Sequence, residues 1–247
     1  MPKKGKTTAG KITQAKMLQA AIGLFLKNGF QQTPISEISK QAGLTTTAFF
    51  RSFADKEAIL YALVPYVFAY QFHQSERYLG ADHDPLMLYA VETVTQLYIA
   101  ESNEALRDLY VSAYSLPTTS EYIHEKTTAK LEMIFQTYLP DTDSGTFYDL
   151  ELASSGVMRS YMMRKCDFFF PMEKKIADFL TACLRIYKVP EKTIEQIIHA
   201  VQNMDLRPLA DKVVNDTIAY VNESLENAIE ELKQEKERSD PHGGTAK

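Results

Sequence analysis

From residue 11 to residue 60 the apolar positions recur at intervals of three and four, the spacing that places side chains on one face of an α-helix. Ile12, Ala15, Leu18, Ile22 and Phe25 form one stripe, which Ala21 and Leu24 widen, and this predicts a helix over 11–28 closed by Asn28-Gly29. Thr33 is an N-cap type and Pro34 suits a first helical position, where a missing N–H costs nothing. Ile35, Ile38 and Ala42 then give one apolar face of a two-turn helix. Gly43 supplies the positive φ at which a helix stops without a Cβ clash, and Leu44 packs the turn. Thr45 is placed to cap a second short helix whose Phe49, Phe50 and Phe53 are spaced to face inward. Helix, glycine turn and helix at this spacing define a helix-turn-helix, with an ordinary αα-corner as the plainer alternative.

Asp55 opens a longer helix over 55–80 that contains Pro65, and Gly80 to Pro85 breaks it. Further apolar helical segments follow at about 85–100, 103–115, 118–138, 147–166, 172–187, 191–203 and 207–236. Pro117, Pro140, Pro171, Pro190 and Pro208 punctuate them. No stretch alternates as a strand would, and no repeat recurs, so the fold class is all-α. Residues 1–10 lack apolar periodicity and read as a mobile basic arm, and 239–247 read as a disordered tail. Residues 223–238 carry dense charge at i,i+4 spacing, the pattern of a solvated helix end.

Composition changes the picture in one respect. The formal net charge of −5 averages two unlike parts. Residues 1–56 hold nine Lys and Arg against Glu37 and Asp55, a net +7, which leaves −12 for the remainder. A small basic module on an acidic body points to a polyanion at one end. The N-terminus has no apolar core of a signal peptide, no run of 18 apolar residues occurs, and no basic amphipathic helix offers a membrane surface. The two cysteines, Cys166 and Cys183, form no CxxC pair, which fits a reducing cytoplasm.

Catalytic patterns are missing. The five histidines show no HExxH or other paired metal spacing, and GxSxG, P-loop and GxGxxG motifs do not occur. His73 with Glu76, and Asp82-His83-Asp84, read as surface polar groups rather than cation ligands. No enzyme, metal or cofactor is implied.

The helix-turn-helix directs attention to its open ends. Thr45, Thr46 and Thr47 crowd the start of the second helix, the end that enters a DNA major groove first. Their hydroxyls can bond bases or phosphates, and their methyls can touch thymine methyls. No Arg, Asn or Gln lies within residues 44–50, so bidentate base reading from this helix is poorly supplied. That favours A·T-rich steps and DNA shape as the means of recognition.

The segment Lys11 to Leu60 combines Ala20-Ala21 and Leu24-Phe25, the Gly29-Phe30 stop, the helix-turn-helix and the start Lys56-Glu57-Ala58-Ile59-Leu60. In that combination it resembles the DNA-binding domain of the TetR family of bacterial transcriptional regulators, over about a fifth of the chain. The resemblance implies an N-terminal three-helix helix-turn-helix DNA-binding domain at 11–56 and a linking helix at 57–82. A larger helical ligand-binding and dimerisation domain would follow at 83–238. It implies phosphate contacts from Thr33, from the position of Phe50 and from Lys56. Together with Ser36, the threonine trio and Arg51, these are the candidate DNA-contacting residues. Family members often carry tyrosine at the place of Phe50, glycine at that of Thr47 and histidine at that of Ser52.

The same resemblance places an effector cavity in the body, where Met and Tyr suit an apolar or aromatic guest with a few polar handles. Tyr89, Tyr98, Tyr110, Tyr114, Met158 and Met162 are the candidate lining residues, with core packing as the alternative. The resemblance places the family's paired dimer helices at about 147–166 and 172–187, where the small run Ala153-Ser154-Ser155-Gly156 would permit close approach, within the chain or between copies; residues 190–238 exceed the family's usual length, and later dimer elements are the alternative. The implied function is a ligand-responsive repressor, cytoplasmic, binding a palindromic double-stranded operator as a homodimer. The alternative is a helical interaction protein that keeps the helix-turn-helix as a scaffold only.

Overall fold

The computed structural model describes residues 7–239, with side-chain environments through Gln234. Six residues of the expected arm and residues 240–247 of the expected tail lie outside the described range. Eleven helices and no strand occur among the described residues: α1 (Thr8–Asn28), α2 (Ile35–Gln41), α3 (Thr46–Ser52), α4 (Lys56–Leu79), α5 (Pro85–Ser102), α6 (Glu104–Ala113), α7 (Pro117–Phe135), α8 (Ser144–Met163), α9 (Met172–Ile186), α10 (Glu191–Gln202) and α11 (Arg207–Ser239).

Side-chain caps set most of the starts. Thr45 Oγ1 accepts from Ala48 N at 3.1 Å and Asp55 Oδ1 from Ala58 N at 2.8 Å, each satisfying an orphan donor of a first turn. Thr7 caps Gly10, so α1 begins three residues earlier than its apolar stripe suggests. Asp143 caps Thr146 and likewise starts α8 at Ser144. Gly29, Gly43 and Gly80 take positive φ where α1, α2 and α4 must stop.

Two expectations at the helix-turn-helix need correction. Pro34, not Thr33, occupies the N-cap of α2, because Thr33 turns its hydroxyl inward to donate to the Gly29 carbonyl at 2.6 Å. Of the three phenylalanines, Phe49 and Phe53 are buried, whereas Phe50 is 57% exposed. Residue 50 follows Phe49 by one position, about 100° around a helix, which turns it off the inward face.

Two apolar clusters organise the chain. Ile22, Phe25, Ile38, Phe49, Ile59 and Leu63 knit α1 to α4 into a head, which Leu109, Val221 and Leu225 complete from more distant helices. The body buries α5 and α7 to α10 with the start of α11, around Phe135 stacked on Tyr187 at 4.0 Å between ring centres. At 33 residues, α11 is about 50 Å long. Its Leu209, Ala210 and Val213 belong to the body cluster, while Val221 and Leu225 belong to the head cluster. The charged stretch from residue 223 is therefore not wholly solvated: its first turn packs on α1, and Gln19 Nε2 donates to the Asn222 carbonyl at 3.5 Å.

The turn between α8 and α9 is fixed by Lys175, whose side chain is fully buried and whose ammonium donates to Glu101 and to the Arg164 carbonyl. Replacing Lys175 with alanine leaves Glu101 only the Arg107 guanidinium, 3.5 Å away, and the Cys166 N–H at 3.2 Å. A loss of about 3 kcal/mol in unfolding free energy is expected, read by denaturant titration.

Candidate nucleic-acid interface and effector cavity

The exposed edge of the helix-turn-helix is built by what its neighbours bury. Ile38 and Phe49 close the core between α2 and α3, and the small Ser39, its hydroxyl bonded to the Ile35 carbonyl at 2.9 Å, lies buried between them. This turns the other face of α3 outward. Thr46, Thr47, Phe50 and Arg51 share it by helical spacing, and all four are exposed, as are Thr45 and Ser36. Thr46 and Thr47 make no side-chain hydrogen bond among the described residues, so their hydroxyls are free for an external partner. Thr45 has committed its own to the cap.

The other two expected phosphate ligands are engaged within the chain. Thr33 is fully buried with its hydroxyl spent on Gly29. Lys56 reaches back over the loop between α1 and α2, donating to the carbonyls of Phe30 (2.7 Å), Gln31 (3.2 Å) and Thr33 (3.1 Å), with its charge over the Phe30 ring. Three donors meet three acceptors, and none is left for DNA. Burial lowers the pKa of Lys56, and the nearby Asp108 carboxylate opposes that shift.

Asp108, on α6, is the residue that the sequence did not signal. Its Oδ2 accepts the Gln31 N–H at 2.7 Å, and a Cβ added at Gly29 would stand 2.7 Å from that same oxygen. Gly29 is thus required twice, for its φ of +84° and for the approach of α6. The partners are 77 residues apart in the chain, and neither residue type announces the contact.

In the body, α4, α5 and α7 enclose a cavity with roughly 910 Å³ of empty space, part of it open to solvent. Phe68, Phe72, Tyr89 and Leu131 supply apolar wall, and Glu92, Gln96 and Lys130 supply polar groups. A smaller apolar space of roughly 600 Å³ adjoins it among α1, α4, α6 and α11, bordered by Tyr110 and Gln71. Tyr114 borders both. The tyrosines of α6 are held by glutamines: Tyr110 donates to Gln71 Oε1 at 2.9 Å and Tyr114 to Gln96 Oε1 at 3.0 Å.

Tyr89, Tyr110 and Tyr114 therefore line cavity, but three of the expected lining residues do not. Met158 and Met162 are buried in the body core. Tyr98 borders a separate polar hollow with Glu101, Cys166 and Arg207. A helical period identifies an inward side and not whether that side meets packing or space.

Between α7 and α8, His124 Nδ1 lies 2.5 Å from Glu151 Oε2, and Ser155 Oγ lies 3.3 Å from the same nitrogen. A serine nucleophile needs its base on the opposite ring nitrogen from the carboxylate, so this trio is not an acyl-transfer site. Among the described residues no cluster of three or more His, Cys, Asp and Glu could hold a metal ion, and no helix is long and apolar enough to cross a membrane.

The long α1 with the short α2 and α3 forms a helix-turn-helix head, which α4 joins to an all-helical body. Residues 17–63 match the model for bacterial regulatory proteins of the tetR family. Over 113 residues the chain is 31% identical to YvdT, an uncharacterised helix-turn-helix-type transcriptional regulator of Bacillus subtilis strain 168. The match covers 44% of this chain and 54% of that protein, so the chain spans about half the length of that relative. RolR, solved in complex with its ligand resorcinol, shares the fold: the TM-score is 0.60 at 17% identity, over 77% of this chain and 94% of RolR. SmeT, the repressor of the Stenotrophomonas maltophilia multidrug efflux pump SmeDEF, aligns at 18% identity over 70% of this chain and 88% of its own, with a TM-score of 0.48. The N-terminal segment is thus similar to the DNA-binding module of tetR-family bacterial regulatory proteins, and the chain as a whole shares the fold of RolR.

Two outcomes follow from the buried polar groups. Lys56→Met strips three carbonyls of their donor and is expected to cost about 1–3 kcal/mol of stability, measured by chemical denaturation. Burial, reinforced by the Glu121 charge, pushes Glu151 from 4.5 up to about 8, while burial lowers His124 from 6.5. A raised acid holds a proton in the folded state that the unfolded chain has released, so its stabilisation is lost as pH rises toward 8. His124 is neutral in both states above 6.5 and adds nothing there. Unfolding free energy is therefore expected to fall from pH 6.5 to 8, and Glu151→Gln to flatten that slope, in melts across the range.

Proposed function

We propose that the protein is a ligand-responsive repressor that binds a palindromic operator as a homodimer and releases it when a small apolar or aromatic effector fills the body cavity. The observation that carries this reading is the position of α6. Tyr114 at its end borders the cavity, its Tyr110 borders the adjoining apolar space, and its Asp108 grips the α1–α2 loop of the head. A guest that displaces α6 alters the seat of the head, and the coupling is reciprocal, so DNA and effector oppose each other's binding.

The exposed face of α3 supports DNA as the partner. Thr46, Thr47 and Phe50 give it hydroxyls and apolar contact, and Arg51 gives it a phosphate ligand. With no Arg, Asn or Gln in residues 44–50, the operator is read through A·T-rich steps and groove shape, and site selection from random duplexes should return such sequences.

A second copy is supported by α8. Asp149, Ala153, Gly156 and Ser160 line an exposed or half-exposed stripe flanked by Leu152 and Met163, and the following turn holds Phe168 and Phe169 at 90% and 84% exposure. Pairing there would set two α3 helices one DNA turn apart, roughly 34–36 Å. The compartment consistent with this role is the cytoplasm.

Footprinting on DNA beside its own gene, with sedimentation of the free protein, tests the whole reading. Operator affinity should fall steeply with salt, and Arg51→Ala should reduce the slope of log K against log salt by about one. A monomer without salt-sensitive preference for any duplex would favour a scaffold that binds protein instead.

A further inference from the structure

The body cavity holds an acid and a base that do not satisfy each other. Among the described residues Glu92 accepts one long hydrogen bond, from Gln96 Nε2 at 3.5 Å. Lys130 makes no hydrogen bond or ion pair, and its ammonium lies 3.1 Å from the centre of the Phe72 ring. Burial raises the pKa of Glu92 against the pull of Lys130, and burial lowers that of Lys130 against the pull of Glu92 and Glu76. The two groups feel each other, yet no ion pair within 4.0 Å joins them. Behind Glu92, Gln71 is buried to 2% exposure; its amide lies close enough to Glu92 to favour the carboxylate, yet its Nε2 completes no hydrogen bond of normal geometry. The hydroxyls of Tyr110 and Tyr114 donate to the carbonyl oxygens of Gln71 and Gln96, which fixes the amide groups of both glutamines. Buried polar groups left this incomplete are costly unless something else completes them.

The chemistry of the missing partner is narrow. A cation would meet Lys130, with Lys126 four residues away on the same helix face. An anion would meet Glu92. A neutral hydroxyl does both jobs with one oxygen: its proton is donated to Glu92 and its lone pairs accept from Lys130. If Glu92 holds a proton, the same hydroxyl accepts it instead. The remainder of the wall, Phe68, Tyr89 and Leu131, suits a flat ring.

We propose that the effector is a neutral aromatic compound bearing a hydroxyl group, seated with that hydroxyl between Glu92 and Lys130 and its ring among Phe68, Tyr89 and Leu131. This rests on reading the cavity as the effector site. The test uses four probes that share an ethylphenyl body on the full chain by calorimetric titration: 4-ethylphenol, 4-ethylbenzoate, 4-ethylbenzylammonium and ethylbenzene. The phenol should bind about tenfold or more tightly than each of the others. Glu92→Leu and Lys130→Met should each erase its advantage over ethylbenzene while ethylbenzene itself still binds, which shows that the cavity and fold survive. Preference for the carboxylate or the ammonium overturns the proposal. So does a phenol preference that persists in both variants, and so does failure of all four probes to bind. Operator binding measured without any probe reports on the regulator reading separately, so the two can fail independently.

Discussion

The head keeps its shape because a short loop with many polar backbone groups is given partners from outside itself. Between α1 and α2 the chain turns within a few residues, too few to form its own ladder of hydrogen bonds. Lys56 takes three of the loop carbonyls, Thr33 takes the carbonyl of Gly29, and Asp108 takes the amide of Gln31. Desolvated peptide groups without partners cost roughly 1–3 kcal/mol each, so this set of bonds decides where α2 and α3 stand. It also places a charge from the body, the Asp108 carboxylate, in the foundation of the DNA-facing module. The reading surface and the body are consequently not independent units joined by a tether.

The cavity obeys the same rule from the opposite side. There the polar groups are present and their partners within the chain are incomplete. The α6 tyrosines sit at the junction of the two situations. Their hydroxyls are bonded to glutamines on α4 and α5, and the loop-gripping Asp108 precedes them on the same helix, within a turn of Tyr110 and less than two turns from Tyr114. A perturbation at Gln71 or Gln96 therefore has a short covalent and hydrogen-bonded route to Gln31.

Much of the head was legible because its signals are local. Thr45 and Asp55 cap the helices they precede, and Gly43 adopts the conformation that its place between two helices demands. The all-helical class and the helix order followed from period and proline placement for the same reason. What could not be read was the use of groups whose partners lie far away in the chain. Lys56 has the look of a phosphate ligand at a helix N-terminus, and only the folded loop reveals that its protons are already engaged. Thr33 is misread similarly. Asp108 gives no signal at all, since an acidic residue on an amphipathic helix is expected to face water. In the body, spacing marked Met158 and Met162 as inward and Tyr114 likewise. Which of them meets a void depends on how five helices pack, and that is not a property of any one of them.

The last helix sets a condition on length. Leu209 to Val213 seat α11 in the body and Val221 with Leu225 seat it on the head, with about two turns between the two anchors. One residue inserted in that interval would rotate every later side chain by about 100°, swinging Val221 and Leu225 away from α1 and bringing charged neighbours against it. The two halves of the molecule are thus held in phase by counting residues, and the interval between the anchors is a dimension of the protein as fixed as the turn between α2 and α3.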